Sequence, residues 1–230
     1  MTKIFCDIAD LKLIKKFNKK KIVKGFTTNP TLMRKAGAKD YSKYIKKILK
    51  ITRKPVSCEV FADDVDGMLV QGNKISKWSK NVFVKVPITN SKGKFMGEVI
   101  KNINKNKIKL NITAVYTAKQ TKQILKVIDK KTSVIISIFA GRMADHGKDP
   151  IPQFKESIKI SNKYKNVKIL WASTREPYNY LQAKQIGCQI ITVPPQIIEK
   201  IEIFGKSFKR LTIDTVKGFL ADTKKSKFKI

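Results

Sequence analysis

The stretch VFVKVPI, residues 82–88, is an apolar run with one lysine at its centre, and its surroundings decide the fold. Strand alternation places Phe83, Lys85 and Pro87 on one face and Val82, Val84 and Val86 on the other. A strand apolar on both faces belongs to a parallel sheet covered on both sides. Runs of the same kind recur along the chain, near Ile4–Ala9, Val23–Asn29, Val56–Phe61, Leu110–Tyr116, Ser133–Gly141, Lys168–Thr174 and Gln189–Val193, which makes eight strands in all. Amphipathic basic segments alternate with them, among them Asp10–Asn18, Asp64–Ser79, Ala118–Asp129, Pro152–Tyr164 and Pro177–Ile186, several opened by Asp, Ser or Thr caps. A strand and helix roughly every 29 residues predicts an α/β fold, a single (β/α)8 TIM barrel with Lys85 pointing into it, in preference to an open doubly wound sheet. Residues 207–225 predict an extra C-terminal helix running into the basic tail KKSKFKI.

A length of 230 residues with 42% hydrophobic content suits one domain over 1–230. The three cysteines, Cys6, Cys58 and Cys188, have neither disulfide-framework nor zinc spacing, and the first residues lack the apolar stretch of a signal peptide. A soluble, cytoplasmic protein with no membrane partner and no metal is the expectation. The formal charge of +33 taken alone would suggest nucleic acid, anionic lipid or phosphorylated molecules. Its lysines are spread over nearly every polar segment, which reads as a solvated face that also attracts anions. No GxGxxG, P-loop, RNP-like aromatic motif, helix-turn-helix or zinc finger accompanies them, so no specific nucleic-acid partner is expected.

Charge inside a covered strand is costly unless paired or functional. Three strands carry it: Asp7 in IFCDIA, Glu59 in VSCEVF and Lys85 in VFVKVPI. One reading is a buried ion-pair network. The other is chemical: an amine within an apolar wall is held less firmly in its charged form, the neutral amine attacks carbonyls, and neighbouring carboxylates move the protons that imine formation needs. Short polar groups close several strands: Asn29, Asn111 with Thr113, Ser137, and Ser173 with Arg175. Barrel enzymes build their sites at that C-terminal rim. Arg142 and Arg175 carry guanidinium forks that match phosphate oxygens. His146, the one histidine, reads as a loop residue.

Taken in order, CDIADLKLIKK (6–16), GFTTNPTLM (25–33), CEVFADD (58–64), VFVKVPIT (82–89), LNITAVYTAKQ (110–120), IFAGRMAD (138–145), WASTREP (171–177) and IGCQIITVPP (186–195) resemble the small transaldolase and fructose-6-phosphate aldolase family over almost the whole chain. The resemblance implies Lys85 as Schiff-base lysine and Asp7 as the acid/base of carbon–carbon cleavage. It implies Glu59 and Thr113 as holders of a proton-shuttling water, and Asn29, Asn111 and Ser137 as contacts to a dihydroxyacetone unit. Arg142, Ser173 and Arg175 would bind phosphate. Sugar phosphates are the implied substrates, with no cofactor, and a homo-oligomer, a ring of subunits in many small members, is the implied assembly. Glu59 and Phe139 resemble the transaldolase branch, the aldolases having Gln and Tyr there. A Tyr hydroxyl beside the enamine would protonate and release it, and Phe cannot. The chain departs from the family at PITNSKGKF (87–95), a longer segment expected beside the active lysine at the barrel mouth.

Overall fold

Strands β1 (Lys3–Asp7), β2 (Val23–Thr27), β3 (Val56–Glu59), β4 (Val82–Pro87), β5 (Leu110–Val115), β6 (Val134–Phe139), β7 (Val167–Ala172) and β8 (Ile190–Val193) pair in parallel, in chain order, into a closed barrel. Closure leaves no open sheet edge. This is a computed structural model that describes residues 1–227, so the last three residues of the tail KKSKFKI lie outside the described residues. Around the strands run α1 (Leu11–Asn18), α2 (Pro30–Lys35), α3 (Tyr41–Ile51), α4 (Val65–Ser76), α5 (Gly97–Lys105), α6 (Ala118–Val127), α7 (Ala140–Ala144), α8 (Ile151–Ser161), α9 (Tyr178–Gln185) and α10 (Pro195–Glu202). A final helix, α11 (Phe208–Ser226), follows the barrel, as the sequence predicts.

The alternation read from β4 holds. Val82, Val84 and Val86 join the large cluster between strands and helices, while Phe83 faces inward with Phe5, Ile135, Leu170, Ala172 and Ile190. That inner cluster plugs the lower half of the barrel, each large side chain contributing about 1.5–3 kcal/mol by burial. Gly25 makes it possible: a Cβ there would stand 2.6 Å from the Phe5 ring. Above the plug the inward positions turn polar, with Thr27, Ser57, Lys85, Asn111, Ser137 and Thr192 all buried. The apolar floor therefore seals the barrel from below and leaves the chemistry to the C-terminal mouth.

Several strands end earlier than their apolar runs suggest, because the next turn is already a helix start. Asn29 leaves β2 and caps α2, its Oδ1 accepting from Leu32 N at 2.9 Å with Pro30 in the first turn. Arg142 lies within the short α7 after β6, and Ser173, after β7, takes a left-handed φ of 64°. Helix α5 begins without a side-chain cap, Met96 making no such bond.

Candidate active site

Neighbouring strands β3 and β4 are in register at Glu59 and Lys85, and this pairing puts the carboxylate beside the amine. Lys85, 8% exposed, donates from Nζ to Glu59 Oε2 at 3.1 Å and to the Thr28 carbonyl at 3.2 Å. The apolar wall expected around the amine is thus replaced by a carboxylate and a carbonyl. Stripping a lysine of water demands such acceptors, and Phe83 below supplies only the floor. Glu59 is itself anchored, its backbone N–H donating to the hydroxyl of half-buried Tyr41 at 2.8 Å. Burial raises the Tyr41 phenol far above its ordinary value, so it stays neutral.

Asp7 ends β1. Thr27 Oγ1 donates to its Oδ1 at 2.6 Å and lies 2.5 Å from Thr192 Oγ1. Desolvation pushes the Asp7 carboxyl above its ordinary value, outweighing the Thr27 hydrogen bond and the Lys85 charge, while the Glu59 charge pushes the same way as burial. Two carboxylates therefore share one cavity with the amine, and burial biases Asp7 toward holding a proton.

A hydrogen-bonded chain crosses the barrel next to them. Ser137 Oγ donates to Asn111 Oδ1 at 2.6 Å, and Asn111 Nδ2 donates to Ser57 Oγ at 2.9 Å. This fixes the Asn111 amide, which has no exposed surface. Two residues on, the Thr113 hydroxyl is buried without a hydrogen-bond partner among the described residues. The β5–β6 register shifts between Ile112 and Val115, where Ala114 adopts φ 58°. An extra residue in one strand re-aims its neighbour's side chain. Such a hydroxyl is suited to hold a small polar molecule in the cavity.

At the rim, Arg142 stands 6.0 Å from the centre of the Phe139 ring. Arg175 is engaged with Asp145, through Nε at 3.0 Å and Nη2 at 2.5 Å, and with the Ser173 carbonyl through Nη1 at 3.3 Å. The pairing holds the Asp145 carboxyl below its ordinary value. Of the two arginines, Arg142 is the one without a carboxylate partner among the described residues. Gly141 is required here, because a Cβ would fall 1.7 Å from the Ser173 carbonyl oxygen. Gly141→Ala is expected to cost about 3 kcal/mol or more, measurable by urea denaturation, and to push Arg142 and Ser173 apart.

All of the sequence-predicted site residues line one cavity of about 600 Å³ at the C-terminal mouth. Thr27, Thr31, Thr192 and Lys35 also line it and were not anticipated. A threonine inside a β-branched run reads as an ordinary strand residue, although inward alternation from Gly25 points to Thr27. Lys35, closing α2, had no signal separating it from the other lysines. The segment 87–95 does not line the cavity. It folds into a small hairpin at the rim, with Thr89 bridging Phe95, and is tied by Ser91 to Asp63 through its N–H at 2.7 Å and its hydroxyl at 2.5 Å. His146 also lies off the cavity, its Nδ1 2.8 Å from the Arg142 carbonyl.

A "Probable transaldolase" of Methanococcus vannielii is 33% identical over 221 residues, covering 96% of each chain. Another "Probable transaldolase", of Thermoplasma volcanium, is 35% identical over 226 residues, covering 97% of this chain and 96% of that one. Among solved structures, N-acetylneuraminate lyase from Mycoplasma synoviae superposes with a TM-score of 0.55 at 10% identity over 82% of this chain and 68% of that one, a likeness of fold alone. A sequence model described as Transaldolase/Fructose-6-phosphate aldolase matches residues 4–230, and the chain belongs to that family.

Proposed function

We propose that the protein is a transaldolase carrying a dihydroxyacetone unit from a ketose phosphate, sedoheptulose 7-phosphate or fructose 6-phosphate, to an aldose phosphate. Support comes chiefly from one observation: a buried amine, Lys85, lines the cavity with Glu59 hydrogen-bonded to it and Asp7 in the same cavity. Lys85 passes a proton to Glu59 and its Nζ attacks the ketone carbon. Loss of water from the carbinolamine, with protons relayed by Glu59 and a water held by Thr113, forms the iminium. Asp7 then takes the proton of the hydroxyl on the far carbon of the bond that breaks, the carbon that becomes the aldehyde. The electrons of that bond flow into the iminium, an aldose phosphate leaves, and a three-carbon enamine stays on Lys85. An acceptor aldehyde adds to the enamine, Asp7 returns the proton to the new alkoxide, and water releases the product.

Asn29, Asn111 and Ser137 would hold the hydroxyls of the three-carbon unit, and Arg142, Ser173 and Arg175 the phosphate. Phe139 favours transfer over release, since it lines the cavity with no proton to donate to the enamine. The test is fructose 6-phosphate with and without erythrose 4-phosphate, reading glyceraldehyde 3-phosphate through a coupled dehydrogenase. Release that needs the acceptor supports transaldolase, whereas acceptor-independent release makes the protein an aldolase. Phe139→Tyr is expected to raise acceptor-independent release by roughly tenfold or more, as an added general acid would.

Helix α11 supports a homo-oligomeric reading. It has no buried residue, and Phe208, Leu211, Val216, Phe219 and Leu220 are all exposed on it. We expect light scattering to find an oligomer, and Phe219→Asp with Leu220→Asp to shift it to smaller species without loss of the barrel's circular dichroism. A cytoplasmic location fits three buried, unpaired cysteines, with burial pushing Cys58 and Cys188 up to about 12. Among the described residues no helix is long and apolar enough to cross a membrane.

A further inference from the structure

The opposite, N-terminal mouth of the barrel holds a second cavity of about 620 Å³, as large as the one above. Its floor is the underside of the inner plug, Phe5, Phe83, Ile135 and Ile190. Lysines stand where strands enter the barrel: Lys3 on β1, Lys24 on β2 and Lys168 on β7, with Lys165 in the loop before β7. An adjoining cavity of about 440 Å³ shares Pro55 and Phe83 with the first and adds Arg53, Lys80 and Lys109. No aspartate or glutamate lines either one, whereas Asp7 and Glu59 line the upper cavity.

Helix C-termini also point to this mouth, and each carries about half a negative charge that a nearby lysine can answer. One lysine is used in that way, Lys54 donating to the carbonyl of Asn18, the last residue of α1, at 2.6 Å, while Lys109 donates to the Lys80 carbonyl in the loop before β4 at 2.6 Å. The rim cations Lys3, Lys24, Arg53, Lys165 and Lys168 make no ion pair among the described residues. Burial, with the Lys24 charge adding to it, holds the neighbouring Lys54 below its ordinary value. A concave, unneutralised cationic rim over an apolar floor, within the usual range of roughly 300–1,000 Å³, matches a small amphipathic anion better than a flat or convex partner.

We propose that this lower mouth binds a small organic polyphosphate of the nucleoside polyphosphate class, with its apolar or aromatic part on the Phe5, Phe83 and Ile190 floor and its phosphates on the lysine rim. The site is separate from the proposed catalytic one, and its test does not depend on turnover. ATP and tripolyphosphate are titrated calorimetrically at physiological ionic strength against the full chain, a Lys24→Gln/Lys168→Gln variant, and a Lys46→Gln/Lys47→Gln variant that removes as much charge from exposed positions on α3. An Arg142→Ala variant reports on the upper cavity. The expected result is ATP affinity at least tenfold above that of tripolyphosphate, reduced at least tenfold in the rim variant and within twofold of normal in the other two. No ATP binding, equal losses in both lysine variants, equal affinity for the two ligands, or a loss confined to Arg142→Ala would each overturn it. Retained melting temperature in the rim variant separates a lost site from a lost fold.

Discussion

Replacing Lys85 by Met is expected to abolish acceptor-dependent transfer, lowering kcat by roughly 10⁴-fold or more, the scale on which a covalent nucleophile is lost. Methionine keeps most of the volume and removes the nitrogen that would carry the three-carbon unit. It also leaves Glu59 Oε2 and the Thr28 carbonyl without their shared donor, so some stability will be lost as well. A second readout separates chemistry from folding. In the wild-type protein, borohydride added with fructose 6-phosphate should fix a covalent adduct on the Lys85 peptide, and the variant, with unchanged circular dichroism, should show none. A trapped adduct elsewhere, or transfer surviving at more than about a hundredth of normal, would remove Lys85 from the reaction.

Asp7→Asn is expected to lower kcat by roughly 10²–10⁴-fold, the usual contribution of a positioned acid/base, while raising stability at neutral pH. The sign follows from the upward shift of the Asp7 carboxyl by desolvation. Between the ordinary carboxylate value and that raised value, the folded state binds more protons at this position than the unfolded one. Wild-type stability therefore falls as pH rises through the window. Asparagine keeps an acceptor for Thr27 and has no charge to desolvate. The variant's melting temperature should exceed wild type at pH 7, by about 2–4 °C for each kcal/mol relieved, and the advantage should fade as the pH is lowered through the window. A variant less stable than wild type at pH 7 would mean that the Lys85 attraction outweighs burial.

The barrel was legible because each strand carries its own evidence. In β4 the parity of three valines against Phe83 and Lys85 states which side is inside, and no distant residue is needed to read it. The same parity places Asn111 and Thr113, and the family resemblance supplied roles that parity cannot. What escaped depends on how separate segments meet. Asp145 reaches across to Arg175 over 30 positions of sequence, and nothing local in RMAD or STRE announces the pair. The bulge at Ala114 is hidden for a different reason: alanine has no preference for positive φ, so the conformation is imposed by the β5–β6 register. Segment 87–95 follows Lys85 to the mouth, yet a tight hairpin bound to Asp63 keeps it from lining the cavity.

The pair between Arg175 and Asp145 bears on how readily a phosphorylated molecule leaves. If phosphate uses this arginine, its arrival exchanges one anion for another at the same guanidinium, and the net attraction is the difference between a dianion and the carboxylate it displaces. Asp145, held 30 positions away in sequence on a separate turn, stays at hand to reclaim the arginine once the sugar has reacted. A grip built as a swap is weaker at equilibrium than one built on an unpaired cation, and it opens faster. On the proposed transaldolase reading, one aldose phosphate has to leave before the next is accepted while a three-carbon unit would stay on Lys85, and quick surrender would then be worth more than tight hold.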